Sequence, residues 1–434
     1  MGKRDSSKLK SLVEHALDAS TADATVVHVR RFLEGATRYA NSRITQNIVR
    51  ADTTVEVEVA FGSQVGQCTT NRLDKDSIAA CIRRAETIAR VAPADPEYMP
   101  PVKPAPCPPV ATWCPETAVF SPAKRAEAIV RAVAIAEREG MTGAGVFVTR
   151  VGASAIGNSA GLFVDNEATE AVVTFSATTP DSVGWAQGRA RDVGTLDVES
   201  VARRALEKAR AGHSPRDLAP GRYEVVLEPA AAEELLSYLF WYQMDAKATD
   251  EERTYLTGKK GTRIAAPSVT IFSDSTHALC PTRPFTDEGM TLRRIDWMRN
   301  GVLENLVYSR FWAKKQGVAP TGMPTNLIMA GGETPLEEMI RLTRRGLLVT
   351  RFWYIRAVEP IRDLYTGMTR DGTFLIEDGK IVAPVKNLRF NESAVHLLEN
   401  VEMLGRQELV GEGRWSLMPY VKARDFNFTS TTRF

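Results

Sequence analysis

Apolar and polar residues alternate in VEVEVAF, residues 55–61, and again in AVVTFSA, residues 171–177. This is the period-2 signature of a half-buried strand. Each run leads through a glycine to an amphipathic helix, and the two helices read IRRAETIAR at 82–90 and ARRALEKAR at 202–210. The offset of about 120 residues recurs upstream, where Asn41-Ser42 matches Asn158-Ser159, so a strand-strand-strand-helix unit is predicted to occur twice. A third segment opens with the strand YEVVLEP, residues 223–229, and a helix through LLSYLFWYQM, residues 235–244. Beyond it, short strands are separated by turn signals at 287–289 (DEG), 299–301 (RNG), 320–322 (PTG), 371–372 (DG) and 378–380 (DGK). One further helix is predicted over PLEEMIRLTRRG, residues 335–346, with acids in its first turn, arginines in its last and Gly346 as its stop. The pattern is α+β: two related small strand-helix domains, then a larger C-terminal domain with a mostly antiparallel sheet and few helices.

Two breaks divide the chain. Residues 93–115, PADPEYMPPVKPAPCPPVATWCP, hold too many prolines for a helix or a central strand, and Pro215, Pro220 and Gly221 punctuate a second, shorter switch. The expected domains are 1–95 (α/β), 117–213 (related to the first) and 221–434 (β-rich). A chain of 434 residues with 44% hydrophobic and 25% charged residues has the composition of a soluble globular protein. Its net charge of +2 gives no general attraction to nucleic acid or anionic membrane, and neither is expected as a partner. The first twenty residues lack the apolar core of a secretory signal, and no stretch is apolar for long enough to span a bilayer, so a cytoplasmic location is expected. Cys68, Cys81, Cys107, Cys114 and Cys280 are few and not in C-x-x-C spacing, which reads as reduced thiols.

Motifs of hydrolytic chemistry meet the wrong context. Gly157-Asn158-Ser159-Ala160-Gly161 has the nucleophile-elbow spacing, but strand-like alternation follows where a helix is needed, so it reads as a hairpin turn. No two of the five histidines stand at helical ligand spacing. Asp363, Asp371 and Asp378 read as turn devices in loops. On the helix of the third segment, Leu235, Leu236, Leu239 and Phe240 form a core-facing stripe. Its other face carries Ser237, Tyr238, Trp241 and Tyr242, an aromatic surface suited to a cavity wall or an interface.

From about residue 25 onward the chain resembles the TldD/PmbA family, once called modulators of DNA gyrase. The resemblance rests on RYANSRITQNIVRADTTVEVEVAFGSQVGQCTTNRLD, AIGNSAGLFVDN, PFTDEGM, NGVLENLVYSRFWAKKQG, PTNLIMAGGETPLEEMI and RDLYTGMTRDGTFLIEDGKIVAPVKNLRFNES, taken in order. It implies three domains and a two-subunit assembly that degrades or trims peptides and unfolded proteins. In the TldD type, zinc sits on a helix with the pattern H-E-x-x-x-H, with a cysteine ligand near the C-terminus; the TldE or PmbA type lacks both. Carried onto this sequence, the first His, the Glu and the second His fall on Ser237, Tyr238 and Tyr242, and GEGRWSLMPYVKARDFNF holds no cysteine. Alcohols and phenols are poor zinc ligands and poor bases near neutrality. The resemblance therefore implies a non-catalytic, TldE/PmbA-like subunit with no cofactor of its own, paired with a zinc-bearing TldD-like subunit, or a homodimer when isolated. The alternatives are an independent homodimeric hydrolase, drawing on a group such as Cys280 or Ser159, and a regulatory binding protein.

Overall fold

In a computed structural model, described for residues 6–411 and 413–432, two sheets carry the architecture. Helix α1 (Ser6–Asp18) precedes strands β1 (Ala24–Ala40), β2 (Arg43–Phe61) and β3 (Gln64–Thr70) and helix α2 (Lys75–Val91). After the proline-rich link and the short α3 (Pro115–Ala118), the same order repeats as α4 (Pro122–Arg138), β4 (Thr142–Asn158), β5 (Phe163–Thr178), β6 (Val183–Ala190) and α5 (Val198–Ala211). The two units share one six-stranded sheet in the order β3-β2-β1-β4-β5-β6. β1 and β4 join them as antiparallel neighbours, from Val26 opposite Asn158 to Tyr39 opposite Gly145.

The internal repeat is close enough to reuse its devices. Asn41-Ser42 turns from β1 into β2 with both residues at positive φ, while Asn158 and Ser159 turn from β4 into β5 with Gly161 at φ +85°. Asp74 and Asp197 cap α2 and α5 by accepting from the amides of Ser77 and Ser200. Gly66 on β3 and Gly184 on β6 each lie directly under a helix. A Cβ at Gly66 would run into Ala85 O and Ala89 N, and one at Gly184 into Ala205 O and Ala209 N. Backbone cannot step aside as a flexible side chain can, so Gly184→Ala is expected to push α5 off the sheet at about 1–3 kcal/mol. Chemical denaturation checks this, and an unchanged midpoint would mean that the helix is free to shift.

The proline-rich link forms no helix and is tied down along its course: Asn158 Nδ2 donates to Val102 O (2.8 Å), Thr291 Oγ1 to Pro106 O (3.1 Å) and Thr169 N to Thr112 O (2.9 Å).

The C-terminal segment begins with β7 (Gly221–Leu227) and α6 (Pro229–Tyr242), followed by α7 (Ala246–Asp250), β8 (Ile271–Ser273), β9 (Ile295–Arg299), β10 (Val302–Leu303), α8 (Arg310–Gln316), β11 (Asn326–Met329) and α9 (Leu336–Arg341). Then come the long hairpin β12 (Arg345–Glu359) and β13 (Leu364–Glu377), β14 (Lys380–Pro384), β15 (Leu388–Ser393), α10 (Ala394–Glu399), β16 (Val401–Val410) and β17 (Trp415–Thr431). They form a mostly antiparallel eleven-stranded sheet; β7 pairs with both β12 and β17, so β7, β12, β13, β15 and β17 close into a ring. Phe352, Phe390, Phe426 and Phe428 fill its core with ring centroids 4.7–5.6 Å apart. No helix among the described residues is long and apolar enough to cross a membrane.

Two sequence expectations change here. The helix expected over 335–346 stops at Arg341, and Gly346 lies inside β12 opposite Ile376 and Glu224. The apolar run 346–349 is claimed by pairing on both sides, which outweighs the helical pattern before it. Asp371-Gly372 does not close a hairpin: with Val349 opposite Thr373 and Arg351 opposite Arg370, these two residues face Thr350 alone and make a β-bulge. Asp378-Gly379 does turn β13 into β14.

Candidate functional site

Helix α6 starts with Pro229 at its first turn, where a missing amide costs nothing, and packs into the ring. Leu235, Leu236, Leu239 and Phe240 are buried, as the stripe predicts. The opposite face does not stay uniform. Ser237 is half-buried and its Oγ donates to the carbonyl of Glu234 (3.0 Å) one turn back. Tyr238 is half-buried, donates to Ile355 O on β12 (2.6 Å) and stacks on Tyr242 at 5.9 Å and 14°. Both rings meet the buried Tyr365, at 5.4 and 6.1 Å. Tyr242 is 38% exposed and Trp241 is 77% exposed.

Zinc does not fit this face. Ser237 and Tyr238 already give their protons to main-chain carbonyls, and Tyr242 presents a ring held in an aromatic stack. A second set of donors, Cys114, Glu116 and Asp192, lies mutually within 4.8 Å near the start of α3. There the thiol donates to Glu116 (3.2 Å), and burial pushes its pKa up, away from the thiolate that a metal requires.

What α6 does instead is cap β12. That strand pairs with β7 only through Val349, so its later amides and carbonyls on that side need other partners. Glu234 accepts from Phe352 N (2.6 Å), and Tyr238 supplies the bond to Ile355 O. Arg351 then pairs with Glu234 (3.3 Å) and approaches Asp371 (4.0 Å) across the bulge, with its guanidinium over Trp185 of the central unit (4.4 Å). Burial raises the pKa of Asp371, against the pull of Arg351 and Arg370. Gln243, fully buried just past α6, donates to Pro360 O (2.7 Å) and Tyr365 Oη (3.2 Å) and accepts from Tyr255 N (2.9 Å). Sequence reading missed Glu234, Gln243, Arg351 and Tyr365; the one signal in the sequence was a glutamine placed directly after the aromatic end of the helix.

Further along, β12 is irregular. Tyr354 has φ +54°, and residues 354 and 355 face Gly367 alone, a second bulge; Val358 is a third extra residue. These bulges twist the arm and break any long run of free edge. Trp353 (43%), Tyr354 (59%) and Val358 (47%) on this arm and Ile361 (62%) just past it are exposed, as are Trp241 and Tyr242 at the end of α6. Single exposed apolar side chains are ordinary on a protein surface.

The groups named as alternative nucleophiles are structural. Cys280 is fully buried with its pKa pushed up to about 11 by that burial. Ser159 sits in the β4–β5 hairpin turn, where its Oγ accepts from Thr25 N (3.1 Å).

Comparisons with known proteins agree with this architecture. Residues 220–430 match the family profile of the PmbA/TldA metallopeptidase C-terminal domain, and residues 115–212 that of the PmbA/TldA metallopeptidase central domain. A metalloprotease of Methanothermobacter thermautotrophicus is 26% identical over 62% of this chain and 63% of its own length. Metalloprotease PmbA of Escherichia coli O157:H7 is 23% identical over 85% and 84%. A metalloprotease TldD homolog of Haemophilus influenzae is 24% identical over 48% of this chain and 45% of its own length, so the match spans about half of some relatives. Among solved structures, TldE from Thermococcus kodakarensis superposes with a TM-score of 0.88 at 19% identity, over 97% of this chain and all of that one. A putative modulator of DNA gyrase from Thermotoga maritima gives 0.86 at 20% identity over 98% and 99%. These likenesses carry the fold, and with the two domain profiles they establish that the chain belongs to the PmbA/TldD metallopeptidase-related family.

Proposed function

We propose that this chain is a non-catalytic subunit of a two-chain, cytoplasmic peptidase of the PmbA/TldD type, and that its partner is a TldD-like subunit carrying the zinc. The observation that carries the reading is the state of α6: the positions onto which the ligand pattern H-E-x-x-x-H maps hold Ser237, Tyr238 and Tyr242, and their polar atoms or rings are committed within the subunit. Trp241 and the aromatic arm of β12 then form the surface that meets the partner, beside the chamber in which peptides or unfolded segments are cut. Main-chain pairing of an extended peptide suits a substrate of no fixed sequence, but bulges at Tyr354 and Val358 restrict it along β12.

The test measures zinc content and peptide cleavage for this chain alone, for a TldD-like partner and for the two co-expressed. The expected result is zinc in the partner and in the complex at one equivalent per pair, with cleavage strongest in the mixture. Stoichiometric zinc bound by this chain alone, or chelator-sensitive cleavage by it, would overturn the reading. A homodimeric hydrolase gains no support from Cys280 or Ser159, whose surroundings are those of a core thiol and a turn hydroxyl.

A further inference from the structure

The internal repeat offers a comparison within one molecule. In the first unit, Gly66 lets α2 approach β3 so closely that its missing side chain would overlap Ala85 O and Ala89 N. Two residues along the strand and one turn back along the helix, Cys68 and Cys81 face each other across the same strand–helix contact and line one cavity, close enough for each thiol to act on the other. In the second unit, Gly184 stands against Ala205 and Ala209 in the same way, and the positions equivalent to the two cysteines are Ala186 and Val201, both buried. The fold therefore does not require sulfur at either place.

The surroundings of the pair also differ from those of a core contact. β3 is the outer strand of the sheet, and between its end and α2 lies a cavity of about 510 Å³ whose walls include both cysteines. Arg72 and Arg84 line it too, against a single carboxylate, Asp52, so its net lining charge is positive. Cys68 is half-buried and the more accessible thiol; Cys81 is 3% exposed.

We propose that Cys68 and Cys81 form a dithiol–disulfide site, oxidised by a small anionic disulfide that enters through this cavity, with Cys68 attacking and Cys81 resolving. Cys68 loses its proton and its thiolate attacks one sulfur of the incoming disulfide, forming a mixed disulfide and expelling one thiolate, which takes up that proton. Cys81 then gives up its proton and attacks the Cys68 sulfur, forming the internal disulfide and expelling the second thiolate, which is protonated in turn. The protein pair is oxidised by two electrons and the small disulfide is reduced to two thiols. In the reduced pair, burial and the neighbouring Cys68 push the Cys81 thiol up to about 12, which together with its lower exposure leaves Cys68 as the thiol that attacks first. The guanidiniums of Arg72 and Arg84 favour an anionic reagent over a neutral one.

The full-length chain, incubated with glutathione disulfide and glutathione at fixed ratios, is mapped by alkylation and peptide mass spectrometry. The expected product is a Cys68–Cys81 crosslink with the mass loss of two hydrogens, reversed by excess glutathione. Cys81→Val, which copies Val201 of the second unit, should stop at a stable glutathione adduct on Cys68, while Cys68→Ala, which copies Ala186, should leave Cys81 unmodified. Replacing Arg72 and Arg84 together with Ala should slow oxidation by glutathione disulfide roughly tenfold and leave the rate with uncharged hydroxyethyl disulfide unchanged. Absence of the crosslink at every ratio, or modification of Cys81 in the Cys68→Ala chain at the parent rate, would overturn the proposal. Equal slowing with both reagents would overturn the charged entry route.

Discussion

Arg189→Leu is expected to destabilise the protein by about 3–5 kcal/mol, the range for removing one partner of a buried ion pair. The side chain extends from β6 into the C-terminal segment, where it is 3% exposed. It donates to Val410 O (3.0 Å), Gly411 O (2.7 Å) and Arg414 O (2.6 Å), pairs with Glu170 (2.6 Å), and lies over Trp415 at 4.1 Å. Leucine would fill part of the volume and satisfy none of those acceptors. Arg30→Ala serves as the control, because its pairs with Glu56 and Asp287 are solvent-exposed and worth at most about 1 kcal/mol. The comparison is made by denaturant midpoint, and equal midpoints for the two variants would show that the buried network contributes nothing.

The same substitution has a pH signature. Burial alone would raise the Glu170 carboxyl, but the charges of Arg189 and Arg150 prevail and hold it below its ordinary value of 4.5. A carboxyl lowered in the folded state adds stability above its unfolded pKa and loses it as pH falls through the folded one. The gap between parent and Arg189→Leu should therefore be widest near neutrality and narrow below about pH 4.5 as Glu170 is protonated.

Why sequence reading finds some of this and misses the rest follows from the distance over which each feature is specified. The stripe of Leu235, Leu236, Leu239 and Phe240 is legible because its residues recur at helical spacing, and the repeat because its alternating strands, Asn-Ser turns and the matching helices at 82–90 and 202–210 recur in order. Gly346 misleads because its place in β12 depends on Glu224 and Ile376, which lie far along the chain on either side. Asp371 misleads because a bulge and a turn both recruit Asp-Gly for positive φ, and only the partner strand distinguishes them. Arg189 is invisible beforehand, since most of its acceptors are main-chain carbonyls that carry no residue signature. On α6, the sequence identifies which residues face away from the core, but not that Tyr238 and Glu234 turn back to cap β12 while Trp241 remains on the surface.

That division of labour leads to the second large effect. Within the proposed assembly, Trp241→Ala combined with Trp353→Ala is expected to weaken binding to the zinc-bearing partner by about 2–4 kcal/mol, roughly 30- to 1,000-fold. Tryptophan contributes large area with few rotatable bonds, and both rings stand at the surface, where a partner can cover them. Arg351 and Arg370 lie 5.5 and 4.5 Å from the Trp353 ring centre and hold the ring in place, while Trp241 is 77% exposed at the end of a helix otherwise fixed in the core. Trp241→Ala alone should move the melting midpoint little, because an exposed side chain contributes within about 0.5 kcal/mol. Titration calorimetry with the purified partner separates the two roles. Lost affinity at unchanged stability assigns this surface to the interface. Unchanged affinity would place the contact elsewhere and leave the aromatic arm of β12 without the role proposed for it, whatever zinc and activity measurements say of the pair.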